Sequence, residues 1–344
     1  MEKTSPSILV VGPSWVGDMV LAQSLFIALK KKYPQGNIDV LAPEWSLPVL
    51  RRMPQVRQGI GLPVGHQQLG LGVRFRIARK LRALKYDQAI VLPRSFKAAL
   101  VPFLAGIPVR TGFRGEWRYG LINDRRPLDR KFLDQTVKRF VALGLDKNEN
   151  QPVQCAYPRL QSNPEIALKL LTKFSLHKNN PLIGLMPGAE YGPAKQWPLE
   201  YFSALVKELD AQGMQAWILG SAKDHPAAQE IIKNAQVKGV NLCGKTSLEE
   251  VIDLISLLDV AVSNDSGLMH IASAVNVPIV AIYGSSSPNY TPPMTDKAKI
   301  LYRDLDCSPC FQRQCPLKHL NCLREITPDS VMDRIKSVLM LNKN

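Results

Sequence analysis

Four loops in this chain carry side chains able to do acid–base or anion chemistry, and each sits between an apolar run and an amphipathic one. In the first, Ile8-Leu9-Val10-Val11 stops at Gly12-Pro13-Ser14-Trp15-Val16-Gly17-Asp18, and a helical stretch from Met19 to Tyr33 follows. Asp18 is the one group of this loop that can act as a base at neutral pH, and the glycines allow close backbone approach. Asp is also favoured at helix starts, so plain capping stays open here. In the second, Val260-Ala261-Val262-Ser263 runs into Asn264-Asp265-Ser266-Gly267-Leu268-Met269-His270. Backbone N–H groups at a helix start, with the positive end of the dipole behind them, suit a diphosphate. Asp265 suits ligand hydroxyls or holds the turn, and a lone His270 one turn inside the helix reads first as a structural hydrogen-bonder. In the third, Leu185-Met186-Pro187-Gly188-Ala189-Glu190-Tyr191-Gly192-Pro193-Ala194 leads to Lys195, just before a helix opening at Pro198. Lys195 is either a phosphate-binding point charge or an exposed loop lysine. The fourth, Gly220-Ser221-Ala222-Lys223-Asp224-His225, offers Asp224 or Lys223 to a ribose hydroxyl.

These loops need elements to hold them, and the rest of the sequence supplies them. Strand-like and helical runs alternate throughout the 344 residues, the pattern of doubly wound α/β domains, and the length fits two. Strands are expected near 8–11, 37–41, 88–92, 182–186, 214–219, 240–242, 260–263 and 278–283, with helices near 18–32, 74–85, 198–211, 225–235, 247–257 and 267–275. We expect an N-terminal domain over 1–160, a linker over 161–180, a second domain over 181–326 and a C-terminal helix over 327–344. Thr327 and Pro328 make a regular start for that helix. No G-x-G-x-x-G, P-loop or nucleophile elbow is present, which removes the main supports for dehydrogenase, kinase and hydrolase chemistry.

The net charge of +15 is unevenly shared: residues 1–150 carry +14 and residues 151–344 carry +1. Such asymmetry points the first domain at a polyanion, whether nucleic acid, a phospholipid surface or a phosphorylated polymer, unless it is a solvated basic surface. Arg74, Arg76, Arg79, Lys80, Arg82 and Lys85 recur at helical spacing around Phe75, Ile77, Leu81 and Leu84, an amphipathic helix with a basic face. Arg94, Lys97, Arg110, Arg114, Arg118, Arg125 and Arg126 lie among Phe96, Phe113, Trp117 and Tyr119, a mixture suited to anionic sugars. No apolar run approaches the roughly 18–20 residues of a membrane span, and the N-terminus lacks a signal-peptide core; a cytoplasmic protein is expected. Cys155 and Cys243 read as isolated small hydrophobes. Cys307, Cys310, Cys315 and Cys322 form C-x2-C-x4-C-x6-C near His319, a pattern open to structural zinc or free thiols and less to disulfides. A catalytic metal is not expected, because the thiols would fill its coordination sphere.

Taken together, Gly12-Pro13-Ser14-Trp15-Val16-Gly17-Asp18-Met19, Ser95-Phe96-Lys97, Gly112-Phe113-Arg114-Gly115-Glu116, Arg118-Tyr119-Gly120-Leu121, Pro187-Gly188-Ala189-Glu190, Lys195-Gln196-Trp197-Pro198, Gly220-Ser221-Ala222-Lys223-Asp224 and Asn264-Asp265-Ser266-Gly267-Leu268-Met269-His270 resemble the ADP-heptose:lipopolysaccharide heptosyltransferases of glycosyltransferase family 9. Pro-Ser-Trp in the first loop is similar to the heptosyltransferase II branch. The resemblance runs from about residue 8 to about 340. It implies a GT-B fold, two Rossmann-like domains facing across a cleft, and inverting transfer of L-glycero-D-manno-heptose from ADP-heptose to heptose I of the lipopolysaccharide inner core. By position it implies Asp18 as general base and Lys195 on the donor phosphate. The donor set would be Glu190, Asp224, Thr246, Asp265, Ser266, Gly267 and His270; the acceptor set Ser14, Trp15, Gly17, Arg94, Lys97, Arg114 and Arg118. It also implies an anionic, membrane-anchored acceptor, peripheral contact with the cytoplasmic face of the inner membrane, no nucleic acid, and no cofactor for catalysis. Arg94 departs from the pattern, which has an uncharged residue there, and the cysteine cluster is absent from some members.

Three other readings compete. One is a heptosyltransferase adding the first or a later heptose. A GT-B-like epimerase or phosphorylase would share the two-domain plan but has no need of a +14 domain. A nucleic-acid-binding protein would explain the charge and leave the glycine-containing loops without purpose.

Overall fold

The computed structural model describes residues 5–65, 68–146, 153–178 and 180–341; the polar stretch 147–152 and Asn179, part of the sequence-based linker argument, lie outside them. The chain divides into two compact units, residues 1–159 and 160–344. Unit 1 runs β1 (Ser7–Val11), α1 (Val16–Lys32), β2 (Asn37–Pro43), α2 (Leu47–Leu50), β3 (Gln58–Leu62), α3 (Leu71–Arg82), β4 (Gln88–Val91), α4 (Phe96–Leu104), β5 (Val109–Phe113), β6 (Asp124–Arg126) and α5 (Thr136–Ala142). Its sheet has the order β3-β2-β1-β4-β5-β6, and every pairing is parallel. Parallel strands must be covered on both faces, which is why β1 and β4 are almost wholly apolar and β2 is apolar but for Asn37 and Asp39.

Unit 2 repeats the plan: α6 (Pro164–Lys173), β7 (Leu182–Met186), α7 (Leu199–Ala211), β8 (Gln215–Ile218), α8 (His225–Ala235), β9 (Val240–Asn241), α9 (Leu248–Ile255), β10 (Val260–Asn264), α10 (Gly267–Ala274), β11 (Ile279–Tyr283), β12 (Ala298–Tyr302), α11 (Asn321–Arg324) and α12 (Pro328–Leu341). The order is β12-β11-β10-β7-β8-β9, again all parallel. Both units are Rossmann-like α/β layers of the GT-B type. Within the 161–180 segment, α6 packs on α9; Asn163 caps it by accepting from the N–H groups of Glu165 and Ile166, and Lys173 pairs with Glu250 at 2.7 Å. Thr327 Oγ1 accepts from Ser330 N at 3.3 Å at the start of α12, and α12 buries Val331, Met332, Ile335 and Val338.

The amino edges of both sheets are closed by the same device. Asp87, just before β4, accepts the N–H of Ser7 at the head of β1 at 2.7 Å. Asp259, just before β10, accepts the N–H of Leu182 at the head of β7 at 2.8 Å. Unit 1 adds Asp39 on β2, fully buried. It accepts from Arg57 Nε at 2.8 Å and Nη2 at 2.5 Å, from Gln58 Nε2 at 2.9 Å and from the Tyr86 hydroxyl at 2.5 Å. Burial pushes the Asp39 carboxyl up, but these donors outweigh it and hold it below its ordinary value; burial and the carboxylate push the Tyr86 phenol up. Because the folded state depresses this carboxyl, its stabilisation is present above the unfolded value near 4 and is lost as the pH falls through the lower folded value. Asp39→Asn should therefore cost about 2–3 kcal/mol at pH 7, read by urea unfolding. The deficit should shrink below about pH 4, and an equal stability at pH 7 would contradict the assignment.

Candidate active site

A doubly wound sheet opens a crevice at its carboxyl edge where the strand order reverses. In unit 1 the reversal lies between β1 and β4, and the loops that leave there are Gly12–Trp15 and Pro93–Ser95. Asp18 is the third residue of α1 and half-buried. The N-cap is Trp15, without a side-chain capping bond, so Asp18 stands in the first helical turn, not at the cap. Ser14 is half-buried and its carbonyl accepts from Trp45 Nε1 at 2.9 Å, which braces the loop against the one following β2; Gly17 is buried and Trp15 exposed.

Arg94 and Arg114 are exposed and meet through Arg94 Nε and the Arg114 carbonyl at 3.3 Å. Lys97 lies half-buried in the first turn of α4, whose leading N–H, that of Phe96, is accepted by Glu116 at 2.9 Å. Arg118 departs from its expected role as an acceptor-facing cation. It is buried, and its Nη1 and Nη2 donate to the carbonyls of Pro93 at 2.7 Å and Phe113 at 2.5 Å. Burial, with Arg94 close by, lowers its guanidinium to about 10. Arg118 ties the carboxyl ends of β4 and β5 together and so positions Arg94 and Arg114.

In unit 2 the reversal lies between β7 and β10, and two expected donor residues meet there: Lys195 Nζ stands 2.5 Å from Asp265 Oδ2, with both side chains largely buried. Their geometry is set by Asn264, fully buried at the end of β10. Its Oδ1 accepts from Trp197 N at 3.0 Å and its Nδ2 donates to the Pro187 carbonyl at 2.6 Å. One carboxamide thus staples both ends of the loop that carries Lys195. Trp197 then locks the exit, its indole buried against Phe202 at 4.8 Å and donating to the Ile326 carbonyl at 2.8 Å.

Ser266 is the N-cap of α10 and Gly267 its first residue, with no side chain capping the first-turn amides. His270 is buried, and its Nδ1 has no partner among the described residues. Burial lowers its imidazole to about 4, with Lys195 adding to the shift and Asp265 opposing it, so the ring is neutral at physiological pH.

The remaining donor-side expectations fall on neighbouring loops. Asp224 accepts from Ser221 N at 2.7 Å and Ser221 Oγ at 2.8 Å. Its carboxylate leaves no room for a Cβ at Gly188, which explains that glycine. Glu190 makes an exposed pair with Lys223 at 2.6 Å. Thr246 is half-buried in the turn after β9, where Gly244 rests against Ala222.

Three contributors escaped the sequence reading: Asn264, Tyr191 and Arg313. The Tyr191 ring has Lys195 at 5.0 Å and Arg313 at 5.3 Å. Arg313 reaches it because its own carbonyl accepts from Ala194 N at 3.1 Å and the Tyr191 hydroxyl donates to the Phe311 carbonyl at 2.6 Å. In the sequence Asn264 showed only as a polar residue of the loop motif that ends an apolar run; Arg313 is 118 positions from Lys195 and carried no signal.

The structural zinc left open at Cys307, Cys310, Cys315 and Cys322 finds no formed site among the described residues. All four are free thiols, and they line one small cavity with His319, Ala194 and Ser285. Among the described residues no three His, Cys, Asp or Glu side chains are grouped to hold a metal ion. Burial and the neighbouring thiols push Cys322 up to about 11, which keeps it protonated. If Asn264 is the staple, Asn264→Ala should lower the stability of unit 2 by about 1–3 kcal/mol and weaken nucleotide binding; Asn264→Ala with native ADP affinity by calorimetry would contradict it.

The model of glycosyltransferase family 9 (heptosyltransferase) matches residues 74–321. The chain is 45% identical over 341 residues to lipopolysaccharide heptosyltransferase 2 of Salmonella typhimurium, covering 96% of this chain and 98% of that one. It is 46% identical over 306 residues to lipooligosaccharide heptosyltransferase 2 of Haemophilus influenzae, covering 86% and 88%. Among solved structures, the ADP-heptose lipopolysaccharide heptosyltransferase II of E. coli superposes with a TM-score of 0.88 at 41% identity, covering 98% of this chain and all of that one. With these likenesses running along both units and both groups of loops, the chain belongs to glycosyltransferase family 9, the heptosyltransferases.

Proposed function

We propose that this enzyme transfers heptose from ADP-heptose to heptose I of a lipopolysaccharide inner core, the second heptose addition, with inversion at the transferred carbon. The observation that carries the reading is the Lys195–Asp265 pair at the strand-order reversal of unit 2, in a chain so similar to heptosyltransferase 2 proteins. Lys195 and the first-turn amides of α10 are the positive groups that a departing diphosphate needs. Arg313, also against the Tyr191 ring, adds a second cation. Asp265, held beside Lys195, is left to accept from sugar hydroxyls, and neutral His270 donates or accepts without adding charge.

On unit 1, Asp18 takes the proton from the attacking acceptor hydroxyl as the C–O bond forms, while the bond from the anomeric carbon to the diphosphate breaks and its electron pair leaves with ADP. Exposed Arg94 and Arg114, with Lys97, Ser14, Trp15 and Gly17 nearby on the same sheet edge, meet the anionic acceptor. Lysine, arginine and amides are there to hold the leaving group, so the reaction requires no divalent cation.

The test is transfer in EDTA from ADP-heptose to acceptors ending in no, one or two inner-core heptoses, read by mass spectrometry. Only the one-heptose acceptor should gain a single heptose efficiently; preference for either of the others would overturn the assignment of the second addition. Asp18→Asn should lower kcat by about 10²–10⁴-fold with little change in the donor KM, and unaltered turnover would remove Asp18 as the base. Arg313→Gln should raise the donor KM by roughly tenfold, and Arg313→Lys by less, as expected for a charge-assisted contact to phosphate; equal KM values in all three proteins would remove Arg313 from the donor site.

A further inference from the structure

The face of unit 1 built by α3 and α4 exposes side chains that water alone does not explain. Arg74, Ala78 and Leu81 turn α3 towards the sheet. Its other side exposes Leu71 and Phe75, at 56% and 58%, one turn apart, with Leu69 just before the helix and Leu84 just after it. Arg76, Arg79 and Lys80 are exposed on the same helix.

The helix is held firmly in this attitude. Buried Arg74 donates through Nε to the Leu69 carbonyl at 2.7 Å and through Nη1 to the Lys97 carbonyl at 3.0 Å, and Arg82 Nη2 donates to the Leu104 carbonyl at 2.7 Å. Those bonds join start to start and end to end, so α3 and α4 lie side by side and parallel. At the far end α4 adds exposed Phe103, with the Arg110 guanidinium 5.5 Å from its ring.

Charge completes the pattern. From Trp45 to Gly115 the chain holds thirteen Lys and Arg against one acid, Asp87, and that acid is engaged with the Ser7 amide. Isolated exposed leucines are ordinary; an aliphatic and aromatic row flanked by cations, on a helix whose own sequence holds no acid, is the signature of a helix lying in a membrane interface. A nucleic acid would use the cations and leave Leu69, Leu71 and Leu84 without a partner.

We infer that the α3–α4 face of unit 1 docks on the surface of an anionic phospholipid bilayer, with Leu71, Phe75 and Leu84 entering the headgroup–acyl boundary and Arg76, Arg79 and Lys80 meeting lipid phosphates. This deepens the proposed function and rests on it for one point, the lipid-anchored acceptor that docking would bring within reach.

The experiment is sedimentation of the full chain with vesicles of phosphatidylethanolamine and phosphatidylglycerol, against vesicles of phosphatidylcholine alone. Wild type should bind the anionic vesicles, and less so as salt is raised. Leu71→Asn/Phe75→Asn should bind at least tenfold more weakly. Arg76→Gln/Arg79→Gln/Lys80→Gln should too, at roughly fivefold per cation. Both variants should keep wild-type turnover on a water-soluble, lipid-free acceptor. Phe75→Trp, a conservative change, should show a blue-shifted emission on anionic vesicles.

No binding, equal binding to neutral vesicles, native binding by both multiple variants, or no blue shift would each overturn the docking. So would binding lost only with the cations and displaced by short duplex DNA, which would point to nucleic acid. Vesicle binding in a protein that transfers nothing to the soluble acceptor would overturn the proposed function and leave the docking standing; transfer without vesicle binding does the reverse.

Discussion

The buried carboxamide of Asn264 is the constraint on which the Lys195 loop, the proposed donor side, depends. A polar side chain fully removed from water is tolerated because both its ends are satisfied. Its two partners are the Pro187 carbonyl and the Trp197 amide, at the entry and exit of one loop. The loop between them is otherwise held by reaches from the chain beyond β12, through the Arg313 and Phe311 carbonyls. Without the staple, Lys195 would be a long flexible cation on a mobile turn. With it, the ammonium is fixed 2.5 Å from Asp265 before any ligand arrives, and that is preorganisation of the kind electrostatic catalysis requires.

The same sheet plan separates stability from chemistry in both units. Carboxylates at the amino edge clamp the first strand: Asp87 on Ser7 and Asp259 on Leu182. Asp39 goes further, gathering Arg57, Gln58 and Tyr86 onto one buried charge. The opposite edge carries Asp18, Arg94, Arg114, Lys195 and Asp265. Parallel strands make this possible, because every loop that follows a strand emerges on one side.

Much of this was legible in the sequence, and the failures have physical causes. β1, β2, β4, β7, β10 and β11 are built on short apolar runs, and the loops after β1, β7 and β10 announced Asp18, Lys195 and Asp265. β3 was hidden because Gln58-Gly59-Ile60-Gly61-Leu62 has glycines where strands usually pack side chains, and β6 is the polar triplet Asp124-Arg125-Arg126. α4 carries Pro102 within it, a helix breaker in most contexts. Asp18 was legible as a carboxylate at a helix start, but only the structure shows Trp15 at the cap. Arg118 shows the opposite limit: its residue type pointed to an anion, while its burial among carbonyls makes it a structural tie. The cysteine spacing resembled a metal site, yet spacing fixes neither the direction of the thiols nor their protonation.

In the proposed reaction a nucleotide diphosphate occupies the β7–β10 reversal, where Lys195 is already held. A crystal structure of the full chain with ADP tests it most directly. Diphosphate oxygens should lie within hydrogen-bond reach of Lys195 Nζ and of the first-turn amides of α10. ADP bound elsewhere, or bound there with Lys195 turned away from the phosphates, would contradict it.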